Sequence, residues 1–600
     1  MAKDLRNASS AEEDPWEAIV SAVVDPLEQQ LKKLGLQVDR PALQSSLDLD
    51  GGSDWDAAVA LHRFGKALEA QPDQLAADLA GEFPIRSPLE SVESNGAYLN
   101  FRADPSWLAR RTLELVFTRG PKYGHRSGST SPVCVEHTSA NPTGPFHVGR
   151  VRNAIIGDTL ARILRAVGSP VTTQYYVDDI GRQSAMITWI WSKPRSAWPE
   201  EIERSVAGEA TVSSEKPDHA LGRPYPHVSK YLKEHPDAAQ EVAELTRRLE
   251  LGTAPPEHQQ LARSILDGML QSLARLSISF DEMVWESSFL TDGSVGRVVE
   301  RLQSSPRAVT EENGAAAIDA SVYGLPKDSE HIVFRRSDGT SLYPTRDVAY
   351  HLAKFARFPL AIDVLGQDHL LHAKTLDVLL QEIGESRRPE YLLYQYVTAP
   401  QGGKMSTRGG SAVYLDDLLE EAVERARAAV RERREDLTPA EVDSIAEKVA
   451  CGGVRYLIAR VAADKAVAFR WDDALTFEGR TGPFIQYSYA RASSLLRKVA
   501  PDATAGAFDP DQLTAAEETS LVKAISRFPS MLVHAAQTRH IHTLAGYAYS
   551  LAEAFNRFYQ TVPVLKSTAP KASRIALVAA TRQTLGNALE LLGMERLETM

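Results

Sequence analysis

The stretch VEHTSANPTGPFHVGRVRN, residues 135–153, breaks an apolar run with a turn rich in proline and glycine. It then sets His147, Gly149 and Arg150 at what reads as a helix start. Ile156, Leu160, Ile163, Leu164 and Val167 recur at helical spacing, and Gly168 with Pro170 ends the pattern, so a helix is predicted over 147–167. The first turn of such a helix has unpaired backbone N–H groups and the positive end of the dipole, which together attract anions. His147 and Arg150 share one side of that turn and can both donate to phosphate oxygens. Gly149, lacking a Cβ, lets a flat base approach the backbone. Taken alone, the same pattern also describes a capping histidine with no ligand. A second segment, GGKMSTRGGS at 402–411, carries Lys404 and Arg408 between glycines. Two cations on such a loop suit a lid that closes on a pyrophosphate as negative charge moves onto it. The plain alternative is a solvated basic loop.

For these segments to act together, a scaffold must join them. A strand in PVCVEHTS, the helix at 147–167, a strand in VTTQYYV and a later strand in AIDVLG alternate as in a parallel, doubly wound sheet. Sheets of that kind bind ligands at the carboxyl ends of their strands. Residues 192 to about 262 interrupt the alternation with polar sequence rich in Pro, Glu, Ser and His, read as a surface insertion with helical pieces. HIVFRRSDGTSLY reads as a hairpin turning at Asp338-Gly339. The first hundred residues read as helical, closing on a turn and strand in SNGAYLNFRAD, and everything past 415 reads as helical. The last helix lines Ile575, Val578, Leu585, Leu589 and Leu592 along one face before Gly593.

At 600 residues the chain exceeds a single core, and three or four domains are expected. Hydrophobic content of 43% with 24% charged residues fits a soluble globular protein. No apolar run approaches the roughly 20 residues that span a bilayer, and the N-terminus lacks the apolar centre of a secretory signal. Cys134 and Cys451 are the only cysteines, too few for a disulfide framework or a Cys-based zinc site, so a reducing cytoplasmic setting without zinc is expected. The net charge of −12 argues weakly against a nucleic-acid partner, although an acidic protein can still carry a basic face.

The two motifs resemble the "HIGH" and "KMSKS" elements of class I aminoacyl-tRNA synthetases. VEHTSANPTGPFHVGRVRNAIIGD, SDGTSLYPTRD, KMSTRGG, LTFEGRTGPFIQYSYARASSLLRK and AEAFNRFYQTVPVL, in that order, narrow the resemblance to arginyl-tRNA synthetases, from about residue 15 to Met600. It implies an α/β chain with a Rossmann-type parallel-sheet catalytic domain, an N-terminal α+β tRNA-binding domain and an all-α anticodon-binding domain. The expected boundaries are 1–110, 111–415 with an insertion at about 192–330, a helical connecting region at 416–470, and 471–600.

The activity implied is ATP-dependent attachment of L-arginine to its tRNA through arginyl-adenylate, by a monomer, with tRNA bound before activation. His147, Arg150, Lys404 and Arg408 would be catalytic. Gly149, Asp368, His369, Met405 and Ser406 would complete the ATP site, with Mg²⁺ carried by the phosphates. A guanidinium needs carboxylates in fork geometry, and the resemblance points to Asp347, Tyr343 and Glu286. Ser139 and Asn141 would hold the α-amino and carboxylate end, with Glu136 and Gln367 nearby. Phe484, Tyr487 and Arg491 share a helix face suited to unstacked anticodon bases, and Met600 would lie near them. Asn95, Tyr98 and Asn100 match positions facing the tRNA elbow. Two positions depart from the common motifs: Arg150 replaces a second histidine, and Thr407 replaces a lysine whose charge Arg408 would supply. The alternatives are a class I synthetase for another amino acid, or a catalytically inert tRNA-binding paralogue.

Overall fold

The computed structural model describes residues 14–49, 55–128, 131–207, 216–398, 413–499, 508–565 and 571–600. Lys404, Met405, Ser406, Thr407 and Arg408 lie outside the described residues.

The apolar run Val133–Glu136 (β1) is buried at every position, as a strand covered on both faces must be. Helix Val148–Ala166 (α1) carries the chain on to Val171–Val177 (β2), and Glu282–Trp285 (β3) follows the long insertion. Tyr343–Arg357 (α2), Leu360–Gly366 (β4), Leu370–Glu382 (α3) and Glu390–Tyr394 (β5) complete the central body. All neighbours are parallel, in the order β5-β4-β1-β2-β3. Because the winding reverses at β1, the crevice outside the carboxyl ends of β1 and β4 is the switch point where such sheets bind ligands. α1 starts and stops where its sequence predicts: His147 is the N-cap, and Gly168 takes a left-handed φ of 86° after the last turn.

The first hundred residues contain more strand than their sequence suggests. Leu47–Asp48, Ala57–Ala60, Tyr98–Ala103 and Leu89–Asn95 form a four-stranded antiparallel sheet in that order. Ala57–Ala60 reads AAVA, which has no strand-like alternation. Pairing with Tyr98–Ala103, from Ala57 opposite Phe101 to Ala60 opposite Tyr98, gives it that state. In the insertion, helices Pro217–Gly222, Pro224–Glu234, Pro236–Glu250 and Pro256–Arg275 each begin on a proline, where the missing N–H is harmless. The predicted turn at Asp338-Gly339 is present, with Arg336 N–H donating to Thr340 O at 2.8 Å and Gly339 at φ 87°.

Past 415 the chain is helical: Leu415–Arg433 (α4), Pro439–Ala459 (α5), Gly482–Arg497 (α6), Ile541–Thr561 (α7) and Lys571–Leu591 (α8), with shorter helices between. Among the described residues the exception is Val467–Ala468, which pairs in parallel with Val397–Thr398. Among the described residues no helix is long and apolar enough to cross a membrane.

Candidate active site

His147 caps α1 with its own ring: Nδ1 accepts the Gly149 N–H at 2.9 Å. That bond places the proton of a neutral ring on Nε2. Nε2 is buried and has no hydrogen-bond partner among the described residues, a rare state for a polar atom. Burial, helped by the charge of Arg150, holds the imidazole below the usual histidine value. His147 is therefore a neutral N–H donor aimed from the helix start, and the fixed positive charge of this turn belongs to exposed Arg150.

Lys404 and Arg408 sit on the segment between Thr398 and Val413. Its return is stitched to the capped turn. His147 bridges Tyr414 in antiparallel fashion, Val148 N–H donates to Val413 O at 3.0 Å, and Leu415 N–H donates to Phe146 O at 2.8 Å. From the other side, the insertion helix Pro217–Gly222 packs on the proline-rich loop so closely that a Cβ on Gly222 would lie 2.2 Å from Gly144 Cα. His219 meets the Tyr414 ring edge-on at 5.5 Å and bonds Asp416 Oδ2 at 2.8 Å. Sequence reading left the insertion without a role; here it braces the return of the cationic segment.

Around the switch point, two successive non-glycine residues, Thr138 at φ 74° and Ser139 at φ 41°, bend the chain sharply after β1. Ser139 Oγ donates to Glu136 Oε1 at 3.0 Å and accepts the Tyr176 N–H at 3.1 Å, so it fastens β1 to β2. Glu136 also accepts from buried Lys354. Asn141 Nδ2 donates to Asp178 Oδ2 at 2.6 Å. Glu286 accepts from Arg346 Nε at 2.5 Å, so a guanidinium of the chain itself occupies one oxygen of the predicted guanidinium acid.

Asp347 lies one turn along α2 from Tyr343. Its carboxylate bonds His372 Nε2 of α3. Burial alone would raise the Asp347 pKa, but His372 outweighs it and holds the carboxyl below its ordinary value. Tyr343 is 58% exposed, with its ring 5.3 Å from that of His372. Gln367, Asp368 and His369 follow β4 at the surface. Although His369 reaches the surface, the protein mass around its ring desolvates and lowers it, with Asp368, His372, Arg150 and Asp347 all within electrostatic reach. The helix start of α1, the end of β4 and the start of α2 thus lie within electrostatic reach of one another at the carboxyl end of the sheet. Sequence reasoning missed Asp178, Arg346 and His372. The doubled acid in VDDIG after a strand was the one available signal, and it did not say which aspartate mattered.

In the C-terminal helices, Phe484, Tyr487 and Arg491 are the partly exposed positions in the first turns of α6. Arg491 lies 4.6 Å from the Tyr487 ring centroid and 4.9 Å from that of Tyr559. These side chains, with Arg434 and Met600, line a cavity of about 380 Å³, and Phe484 lines a second of about 580 Å³ together with Tyr487, Arg491, Arg434 and Met600. Tyr559 and Arg434 were not foreseen. In the N-terminal sheet Asn95 and Tyr98 are exposed, whereas Asn100 is only 6% exposed.

Comparison with known proteins agrees with this arrangement. The family description "tRNA synthetases class I (R), catalytic domain" matches residues 112–465, and "DALR anticodon binding domain" matches residues 485–600. The arginine–tRNA ligase of Methanocella arvoryzae is 40% identical, over 90% of this chain and 92% of its own. That of Methanothermobacter thermautotrophicus is 39% identical, over 96% and 98%. The solved arginyl-tRNA synthetase of Thermus thermophilus superposes with a TM-score of 0.79 at 28% identity, covering 96% of this chain and 99% of that one. Since these likenesses run through nearly the whole of each chain and not through the motifs alone, the chain belongs to the arginyl-tRNA synthetase family of class I aminoacyl-tRNA synthetases.

Proposed function

We propose that the crevice at the switch point joins L-arginine to ATP and then passes it to the terminal adenosine of its tRNA. The observation that carries this reading is the capped turn at His147, placed at the sheet's switch point and stitched to the return of the Lys404–Arg408 segment. In the first step the arginine carboxylate attacks the α-phosphorus in line, and the bond to pyrophosphate breaks. Catalysis then rests on positioning and on stabilising charge as it moves to the leaving oxygens. His147 offers a neutral Nε2–H, the backbone of Gly149 offers space for the base, and Arg150, Lys404 and Arg408 offer fixed charge. Asp368 and His369 would complete the nucleotide side.

Asp347, Glu286 and Tyr343 would receive the guanidinium, with Asn141 and Gln367 toward the α-amino end. Ser139 and Glu136 are bonded to the chain itself, so we assign them to shaping the floor of the site. Mg²⁺ would travel on the triphosphate, and the chain would act as a cytosolic monomer. Phe484, Tyr487, Arg491 and Met600 would meet anticodon bases, and exposed Asn95 and Tyr98 the tRNA elbow. The burial of Asn100 fits a supporting position beneath them better than contact.

Pyrophosphate exchange with each amino acid, with and without tRNA, tests the whole reading: exchange should appear with arginine and require tRNA. Exchange driven by a different amino acid would overturn it. Lys404→Ala should lower exchange about a hundredfold, the scale of losing one transition-state donor, and unchanged exchange would remove the lid assignment. Tyr487→Ala should weaken tRNA binding by about 1–3 kcal/mol, the usual worth of one base stacked on an aromatic ring, while the KM for arginine stays put. The reverse pattern would make Tyr487 a packing residue.

A further inference from the structure

β1 and β4 are register partners from Val133 with Leu360 to Glu136 with Asp363, and the pairing ends there. Each chain then runs on to a residue proposed for the α-amino end of arginine, Asn141 past β1 and Gln367 past β4. Where neighbouring strands separate, backbone groups lose their ladder partners and need others. One side chain of α1 serves both sides of the gap. Asn153 Oδ1 accepts the Thr138 N–H at 2.7 Å, and Asn153 Nδ2 donates to Val364 O at 2.8 Å. Asn153 is buried in the second turn of the helix that His147 caps. A backbone N–H only donates and a carbonyl only accepts, so neither a carboxylate nor an aliphatic side chain could serve both.

The bend that Asn153 holds does not keep its shape by itself. Thr138 is β-branched and sits at φ 74°, a left-handed backbone such residues rarely adopt, and Ser139 follows at φ 41°. Conformations of that kind persist when their neighbours over-determine them. The Tyr175 hydroxyl of β2 accepts the Ala140 N–H at 3.1 Å and donates to Ala140 O at 2.6 Å. Ser139 is held by Glu136 of β1 and the Tyr176 N–H of β2. Asn153 adds the tie to α1, whose first turn carries Arg150 beside the His147 cap.

We propose that Asn153 is a positioning residue for the first step, its amide setting the α-amino and carboxylate end of arginine against the phosphate-facing turn of α1. The inference rests on the arginine-site reading above. Attack on the α-phosphorus needs the carboxylate oxygen in line, and a misplacement of about 1 Å can cost a hundredfold in rate. The guanidinium end belongs to Asp347 on α2 and Glu286 after β3, outside the Asn153 bonds. Loss of the amide therefore disturbs the reacting geometry and leaves guanidinium and nucleotide binding in place.

Asn153→Leu keeps the volume and removes both bonds, and Asn153→Ser keeps a hydroxyl too short to make the pair. Arginine-dependent pyrophosphate exchange, measured on the full chain with tRNA, should lose about a hundredfold in kcat in the leucine variant, and less in the serine variant. In both, two other readings should stay at wild-type values: the KM for ATP, and the inhibition constant of agmatine, which has the guanidinium but no carboxylate. Unchanged kcat would overturn the inference. So would agmatine and ATP binding that weaken in step with kcat, since a residue that merely packs would loosen the whole site together. If the leucine variant fails to fold, the serine variant decides by the same readings. Absence of arginine-dependent exchange in wild type would instead overturn the functional reading, and the inference with it.

Discussion

Replacing Arg455 by methionine is expected to destabilise the protein by about 3–5 kcal/mol, the range for removing one partner of a buried ion pair. Arg455 lies in α5 with none of its surface exposed. Its guanidinium donates to three separate parts of the chain: Asp158 Oδ2 on α1, Leu276 O at the end of the insertion, and Leu592 O beyond α8, each at 2.5 Å. Gly593 makes room for it, since a Cβ there would lie 2.2 Å from the guanidinium carbon, and its φ of 68° is one glycine adopts freely. Burial alone would raise the Asp158 carboxyl, but Arg455 and Arg162 outweigh it and hold it below its ordinary value. Methionine fills similar volume yet leaves two buried carbonyls without donors, while Asp158 keeps Arg162 at 2.8 Å. Denaturant titration of both proteins measures the change. A loss under about 1 kcal/mol, the scale of an exposed pair, would mean the three contacts carry little.

The parts legible in sequence are those written locally. α1 could be placed because its cap, apolar stripe and terminal glycine are consecutive, and β1, β2 and β4 because short apolar runs separated by helices have few other uses. β3 reads EMVW and is only partly buried, so nothing in its own residues marks a strand; its state comes from pairing with β2, Gln174 opposite Glu282 through Val177 opposite Trp285. The site divides the same way. His147 and Lys404 stood out by motif, but the contacts that build the site around His147 and Asp347 are remote in sequence: Tyr414 against His147, Gly222 against Gly144, His372 against Asp347. Asp347 invites a partner, as a buried carboxylate does, yet only the packing of α3 on α2 says that an imidazole provides it. Nothing in YPTRD marks Arg346; only the fold places it on Glu286.

Lys354→Met should be the second large loss, again about 3–5 kcal/mol near neutral pH, and its pH dependence should identify the cause. Asp363 of β4 and Glu136 of β1 are register partners on adjacent strands, at the carboxyl end of the sheet. Two acids side by side there would repel. Lys354, entirely buried on α2, answers both: its Nζ donates to Asp363 Oδ1 at 2.7 Å and to Glu136, and lies 4.1 Å from the Tyr350 ring centroid. Burial by itself would raise Asp363, but Lys354 and His351 overcome it and hold the carboxyl well below its ordinary value. Stability from that carboxylate is therefore present above the unfolded carboxyl pKa of about 3.9 and is lost only as pH falls through the lower folded value. Without the ammonium, His351 alone opposes the burial of Asp363, and its folded pKa moves up. The variant then pays for ionisation as pH rises. Its deficit against wild type should be widest at neutral pH and should shrink steadily toward pH about 4, where the Asp363 carboxyl of the variant can be protonated. Denaturation midpoints measured across that range decide it. A deficit that stays constant with pH would mean that Lys354 acts by packing its methylenes, and that the acids at the switch point are held by something else.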